Sequence, residues 1–255
     1  MEIFLELMIF IMGTFFGSFF TLAVYRIPLK KDITHERSFC PNCNHRLEFL
    51  DLIPVWSYIF LGGKCRYCGQ KIRIRYLLFE MLSGIVFVTA YNSLHIHNIF
   101  LDMNKIVLFL QFVFLYVTIV IVSGIDKEYR KINTSVLLFG SIMQIIYILY
   151  LYIMEKSSIY RYGIYFGIFI LIYIINKILQ KKKENYFLEI LLLISYILFT
   201  CLEKCTIVTI LCTVIIILLA KMCRKKEFQK ISIGFYLGTF AIILKIVENY
   251  IIFYL

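Results

Sequence analysis

The chain has 255 residues, 61% of them hydrophobic, a mean hydropathy of +0.84 and a formal net charge of +11. Soluble domains average about 45–50% apolar residues, so the composition excludes an ordinary soluble enzyme and points to an all-α polytopic membrane protein in a lipid bilayer. The positive charge does not imply a nucleic-acid partner, because the basic residues lie in short segments between apolar runs, where the positive-inside rule places them.

A helix needs about 20 apolar residues to cross the hydrocarbon core. In chain order, eight segments meet that need: 3–25, 77–95, 105–125, 133–153, 160–178, 186–202, 205–221 and 231–254. The first carries Glu2 and Glu6, no basic start and no small-residue cleavage site, so it reads as a permanent span and not a signal peptide. The sixth and seventh are separated only by "EK". The expected organisation is a first transmembrane helix (1–25), a four-cysteine loop domain (26–76) and a seven-helix membrane domain (77–255). Loop 26–76 holds ten Lys or Arg against four acids, and "KEYRK", "KILQKKKEN" and "KMCRKKEFQK" are also basic. The intervening loops, "SLHIHNIFLDMNK", "EKSSIYR" and "EK", carry little positive charge. Every odd loop is therefore expected in the cytoplasm, with both termini outside.

Within the first loop, "CPNC" (40–43) and "CRYC" (65–68) are two C-x-x-C pairs with 21 residues between them. Each pair can place two thiolates on one ion, and the stretch between can fold back to close a tetrahedral site of Cys40, Cys43, Cys65 and Cys68. Gly69 suits the turn such a knuckle needs. Four thiolates leave no open position, so the expected zinc is structural. A redox dithiol and a pair of disulfides are the other readings; a cytoplasmic loop disfavours disulfides. His35 and His45 read as spare surface histidines. Cys201, Cys205, Cys212 and Cys223 lie in or beside apolar runs, where small buried thiols are common.

The third span ends in "VSGIDKEYRK" (122–131). From the residues alone, Asp126 either opens a charged loop beside Lys127 and Arg130 or is an acid at the membrane edge. Intramembrane acids are costly and are functional candidates by default.

"GTFFGSFFTLAVYRIP" (13–28) and "SFCPNCNHRLEFLDLIPVWSYIFLGGKCRYCGQKIRIRYLLFE" (38–80) resemble the first span and the cytoplasmic loop of the type IV prepilin peptidases. Asp126 and "ISIGFYLGTFAII" (231–243) fit later spans of that family, with Asn133 and Tyr236 standing where proline is usual. The resemblance implies a membrane aspartyl endopeptidase that removes the leader of type IV pilin-like precursors at the cytoplasmic face of the bacterial plasma membrane. It also implies N-methylation of the new amino terminus with S-adenosylmethionine in many members, with which the cysteine loop is associated.

Such an enzyme needs two carboxyls that share a proton, one activating water and one donating to the scissile carbonyl. Asp126 stands where the resemblance puts the first. The second belongs to a Gly-x-Gly-Asp motif, but the corresponding stretch here, "KKKENYFLEILLL" (181–193), has neither glycine nor aspartate, and no aspartate follows Asp126 in the chain. Glu189 and Glu184 are the nearest carboxylates. Glu189 also reads as a helix N-terminal acid favoured by the dipole, and Glu184 as a solvated partner of the lysine run. A member that has lost proteolysis, either a methyltransferase alone or a non-catalytic partner in pilus assembly, is the alternative.

Overall fold

The computed structural model describes residues 2–96, 103–155, 159–180, 185–223 and 231–254. Every regular element among them is helical, and the chain divides into two compact units, Met1–His97 and Asn98–Leu255. Helices Ile3–Arg26, Met103–Tyr129, Thr134–Met154, Tyr160–Leu179 and Ile233–Ile251 are each long and apolar enough to cross a membrane. The chain is thus an all-α, multi-pass membrane protein.

The first unit contains α1 (Glu2–Arg26), a 3-10 turn (Phe49–Leu52), a short α2 (Trp56–Phe60) and α3 (Arg75–Ser93). Helices α1 and α3 lie against each other through small residues. A Cβ on Gly13 would come 2.8 Å from both Gly84 Cα and Ser83 O, and one on Gly17 would come 2.9 Å from Glu80 Cα. Apolar burial drives little association between helices in lipid, so close backbone approach at a Gly-x-x-x-Gly spacing is how such a pair packs. Beside this seam the Phe16 and Phe87 rings stack, with centroids 5.3 Å apart. At the end of α1, Arg26 is buried. Its guanidinium donates to the carbonyls of Asp32, Glu36 and Arg37, at 2.9, 2.8 and 3.3 Å, which fixes the first loop segment on the helix.

The second unit contains α4 (Met103–Tyr129), α5 (Thr134–Glu155), α6 (Tyr160–Gln180), α7 (Tyr186–Cys223) and α8 (Ile233–Tyr254). Helix α8 packs on α4 and α7, α5 on α4, and α6 on α7. A buried hydrogen bond from Gln111 Nε2 to Gln144 Oε1 (2.9 Å) ties α4 to α5, the polar link that apolar lipid makes useful.

The expected spans 186–202 and 205–221 are one helix, α7. Neither Glu203 nor Lys204 breaks a helix, since both are straight-chain residues of good propensity. Glu203 also has partners on α6: the Tyr165 hydroxyl donates to it and Arg161 pairs with it at 3.5 Å. The helix is not a straight rod. Thirty-eight residues would extend about 57 Å, yet the Ile233 N–H that opens α8 donates to the Tyr186 hydroxyl at 3.1 Å. The chain from Cys223 to Ile233 reaches at most about 36 Å. Thr200 and Thr213 bond back to Tyr196 O (3.0 Å) and Thr209 O (2.6 Å), a pattern that bends helices.

Candidate functional site

The four cysteines come together. Their sulfurs lie within 4.8 Å of one another, and Cys40 Sγ is 3.9 Å from Cys68 Sγ. A tetrahedral ion with metal–sulfur bonds of about 2.3 Å sets sulfurs about 3.8 Å apart, so the donor set fits a structural metal. All four are free thiols. The two halves of the site repeat one local design. Cys40 N–H donates to His45 O and Asn44 N–H to Cys40 O; Cys65 N–H donates to Gln70 O and Gly69 N–H to Cys65 O. The bridges Phe39–Arg46 and Lys64–Lys71 close the two turns. Each turn needs one residue at positive φ, and Gly69 (69°) and Asn44 (55°) supply it. Gly69 is legible in the sequence. Asn44 is its counterpart, recognisable only because asparagine tolerates the left-handed region.

Backbone N–H groups aimed at the sulfurs favour thiolates. The Gln70 N–H beside Cys68, with the Asn42 amide, holds that thiol down to about 6. The Cys43 and Asn42 N–H groups lower Cys40 as well. Cys43 has a hydrogen bond from the His45 N–H, but burial and the neighbouring thiols prevail and push it up to about 11. Asp51 locks the second knuckle to the connecting segment. Its carboxylate pairs with Arg66 Nε at 2.8 Å and accepts from the Glu48 N–H (3.2 Å) and the Tyr67 hydroxyl (3.4 Å). His45 is not a ligand; its ring lies on Tyr67 with centroids 3.6 Å apart. His35 Nδ1 lies 2.8 Å from the exposed Asp32 carboxylate, remote from the thiols in role.

In the second unit, Asp126 is not the start of a loop. Helix α4 runs on to Tyr129, and Asp126 is 0% exposed. Its Oδ2 accepts from the Phe235 N–H at 3.1 Å, and the Tyr186 hydroxyl and Gly234 N–H also reach the carboxylate. Gly234 leaves room for it, since a Cβ there would sit 3.0 Å from Oδ2. Asp126 Oδ1 is buried without a hydrogen-bond partner among the described residues. The cations that follow in sequence turn onto aromatic faces: Lys127 Nζ lies 4.2 Å from the Phe235 centroid and the Arg130 guanidinium 5.4 Å from that of Tyr186.

Glu189 is 2% exposed, and its Oε2 accepts from the Ile132 N–H at 2.8 Å. It lies on the same face of α7 as Tyr186, which touches Asp126, and Leu193, which lies beside Gly234. Both buried acids therefore belong to one end of the unit, where the end of α4 and the starts of α5, α7 and α8 converge. Asn133 caps α5 there, accepting from the Ser135 and Val136 N–H groups. Glu184 lies outside the described residues. Tyr186 and Gly234 are the site neighbours the sequence did not reveal; neither carries a signal without the tertiary contact.

The family model for the Bacterial Peptidase A24 N-terminal domain matches residues 11–94. Among relatives, the prepilin leader peptidase/N-methyltransferase of Myxococcus xanthus is 40% identical over 79 residues, which is 31% of this chain and 24% of that protein. The protein of the same name from Klebsiella pneumoniae is 39% identical over 88 residues (32% of this chain, 39% of that one). The one from Bacillus subtilis is 33% identical over 131 residues (51% and 49%). The matched regions thus span about half the length of these relatives or less. No solved structure matches the chain. Residues 11–94, which include the four-cysteine centre, match the Bacterial Peptidase A24 N-terminal domain, and over between a third and a half of its length the chain is similar to proteins named prepilin leader peptidase/N-methyltransferase.

Proposed function

We propose that the chain is a prepilin-peptidase-like endopeptidase that removes the leader of type IV pilin-like precursors at the cytoplasmic membrane face. The observation that carries this reading is the burial of two carboxylates, Asp126 and Glu189, at one end of the second unit. In this reading one carboxyl is ionised and takes a proton from water as it attacks the scissile carbonyl. The other is protonated and donates to the carbonyl oxygen; two acids in a shared low-dielectric site divide these roles between them. Tyr186 and the Phe235 N–H orient Asp126, whose Oδ1 has no hydrogen-bond partner among the described residues and is the oxygen that would take the water's proton.

The sidedness follows from charge. Arg130 reaches Ile231 O, Tyr186 meets Ile233, and Glu189 meets Ile132, so the ends of three basic loops gather beside the acids. The positive-inside rule puts such an end in the cytoplasm, with the cysteine loop on the same side and both termini outside. The metal is zinc, held by Cys40, Cys43, Cys65 and Cys68, and its role is to fold a loop whose own core is small. S-adenosylmethionine is the methyl donor for a second activity on the new amino terminus, by analogy with the relatives' name.

Co-expression with a prepilin in cells lacking their own peptidase tests the reading. Asp126→Asn is expected to lower cleavage by about a hundredfold or more, the scale of one lost acid–base group. Full cleavage by that variant would overturn the assignment. One observation favours a second reading, a peptidase-inactive relative that methylates or assists assembly: Glu189 Oε2 is already engaged by the Ile132 N–H, and glutamate is one methylene longer than the expected aspartate. Robust cleavage by the purified wild-type chain alone rules this reading out.

A further inference from the structure

Residues 49–60, which the sequence places in an aqueous loop, present an apolar surface. Phe49 is 75% exposed, Trp56 56% and Phe60 80%, and Leu50 and Ile59 are exposed beside them. On α2, Trp56, Ile59 and Phe60 fall on one helical face, and the Trp56 and Phe60 rings stack with centroids 6.0 Å apart. The turn that leads into α2 is anchored on α3 and α1. The Val55 N–H donates to Glu80 Oε2 on α3 at 2.8 Å, and the Ser18 hydroxyl of α1 reaches the same carboxylate. Val55 is held there in an unfavourable conformation for a β-branched residue (φ 66°, ψ −54°), with Trp56 N–H donating to Pro54 O at 2.7 Å. Strain of this kind persists only where surrounding structure imposes it.

The anchor fixes the level of α2. Glu80 lies five residues into α3, about 7.5 Å along its axis, and Ser18 lies eight residues before the end of α1, about 12 Å back. The headgroup layer on each side of a bilayer is only about 5–8 Å deep. The start of α2 is therefore level with inner, apolar turns of α1 and α3 and not with their ends. We propose that the face formed by Phe49, Leu50, Trp56, Ile59 and Phe60 is embedded in the lipid interface and seats the metal centre against the membrane. Two features name lipid as the occupant. The surface is tied through Glu80 and Ser18 to α1, a helix long and apolar enough to cross a membrane, and it is flanked by a loop with ten basic residues against four acids, the balance that an anionic leaflet attracts. An interfacial helix of this kind rests with its apolar side about 5–10 Å into the headgroup–acyl boundary, and tryptophan is a preferred residue at that depth.

Trp56 is the only tryptophan in the chain, so the wild-type protein carries its own depth probe. The full-length protein is placed in nanodiscs of phosphatidylcholine and phosphatidylglycerol, with Trp56→Phe as the blank for tyrosine emission. Lipids brominated near the carbonyl end of the acyl chain should quench Trp56 by roughly twofold, as expected for a ring held about 5–10 Å deep. Lipids brominated near the methyl end should quench it less, and aqueous acrylamide should have little effect. Strong acrylamide quenching without bromolipid quenching overturns the proposal. Protection from both quenchers also overturns it, because a protein surface, from a second copy or a precursor, would then cover the face.

Discussion

Glu189 is the residue on which the two functional readings divide, and its hydrogen bond from the Ile132 N–H can be separated from its ability to ionise. Glutamine keeps a carbonyl oxygen to accept from the Ile132 N–H (2.8 Å) but cannot ionise. Glu189→Gln is therefore expected to keep the Ile132 N–H paired while cleavage of a prepilin falls by about a hundredfold, the scale of a lost acid–base group. Glu189→Ala leaves the Ile132 N–H buried without an acceptor, at a cost of about 1–3 kcal/mol, and should lower the melting temperature as well. Unchanged cleavage in the glutamine variant assigns Glu189 to the fold alone. Gly234 gives an independent measure of the site's tolerance. A Cβ there would stand 3.0 Å from Asp126 Oδ2 and 3.2 Å from Cγ, so Gly234→Ala displaces the carboxylate by a fraction of an ångström. Because catalytic geometry is that sensitive, cleavage should fall by about tenfold with little change in melting temperature. Of these residues, the positions of Asp126 and Glu189 were legible in the sequence because acids at span ends are conspicuous. Their partners were not: Phe235, Tyr186 and Ile132 come to them from 109, 60 and 57 residues away, and no local pattern encodes such contacts.

At the level of elements, apolar length located the helices well, because the bilayer sets that length, but it misjudged where one helix ends. "EK" between two apolar runs reads as a loop, whereas Arg161 and Tyr165 of α6 meet Glu203 within a continuous α7. Pairing between helices was equally hidden. Gly13 and Gly17 share their spacing with Gly163 and Gly167, yet the first pair faces another backbone, whereas nothing among the described residues lies within 4 Å of a Cβ built on either of the second. The two pairs should respond oppositely to substitution. Gly13→Leu or Gly17→Leu pushes α3 off α1, and overpacking of this kind costs about 1–3 kcal/mol or more. Gly163→Ala and Gly167→Ala remove conformational freedom from the unfolded chain and add about 0.4–1 kcal/mol of stability. Thermal unfolding of the four variants in one detergent measures both effects. Equal losses for the two pairs would place a partner surface on α6.

At the scale of the whole molecule, the metal centre was the part most legible beforehand, since two short C-x-x-C turns specify it almost without tertiary help, while its attachment to α1 and α3 through Arg26, Val55 and Glu80 depends on contacts across the first unit. That attachment makes the loop's order depend on the ion. Four thiolates brought within 4.8 Å repel one another unless a cation or protons lie between them. Removal of the metal by a chelator should expose the 32–74 segment to protease while leaving the helices of the second unit protected, and added zinc should restore the original pattern. Acid should act in the same direction, because metal ligation requires deprotonated sulfur. Cys43, held near 11, is a thiol at neutral pH and gives up its proton when the ion binds. Cys68, lowered to about 6 by the Gln70 N–H and the Asn42 amide, is already a thiolate there. Zinc affinity should therefore weaken as pH falls, and more steeply once pH passes below about 6, where Cys68 must also lose a proton to bind. Competition with a chromophoric chelator across that range measures the slope. A slope that stays flat through pH 6 would mean that Cys68 does not contribute a thiolate to the centre.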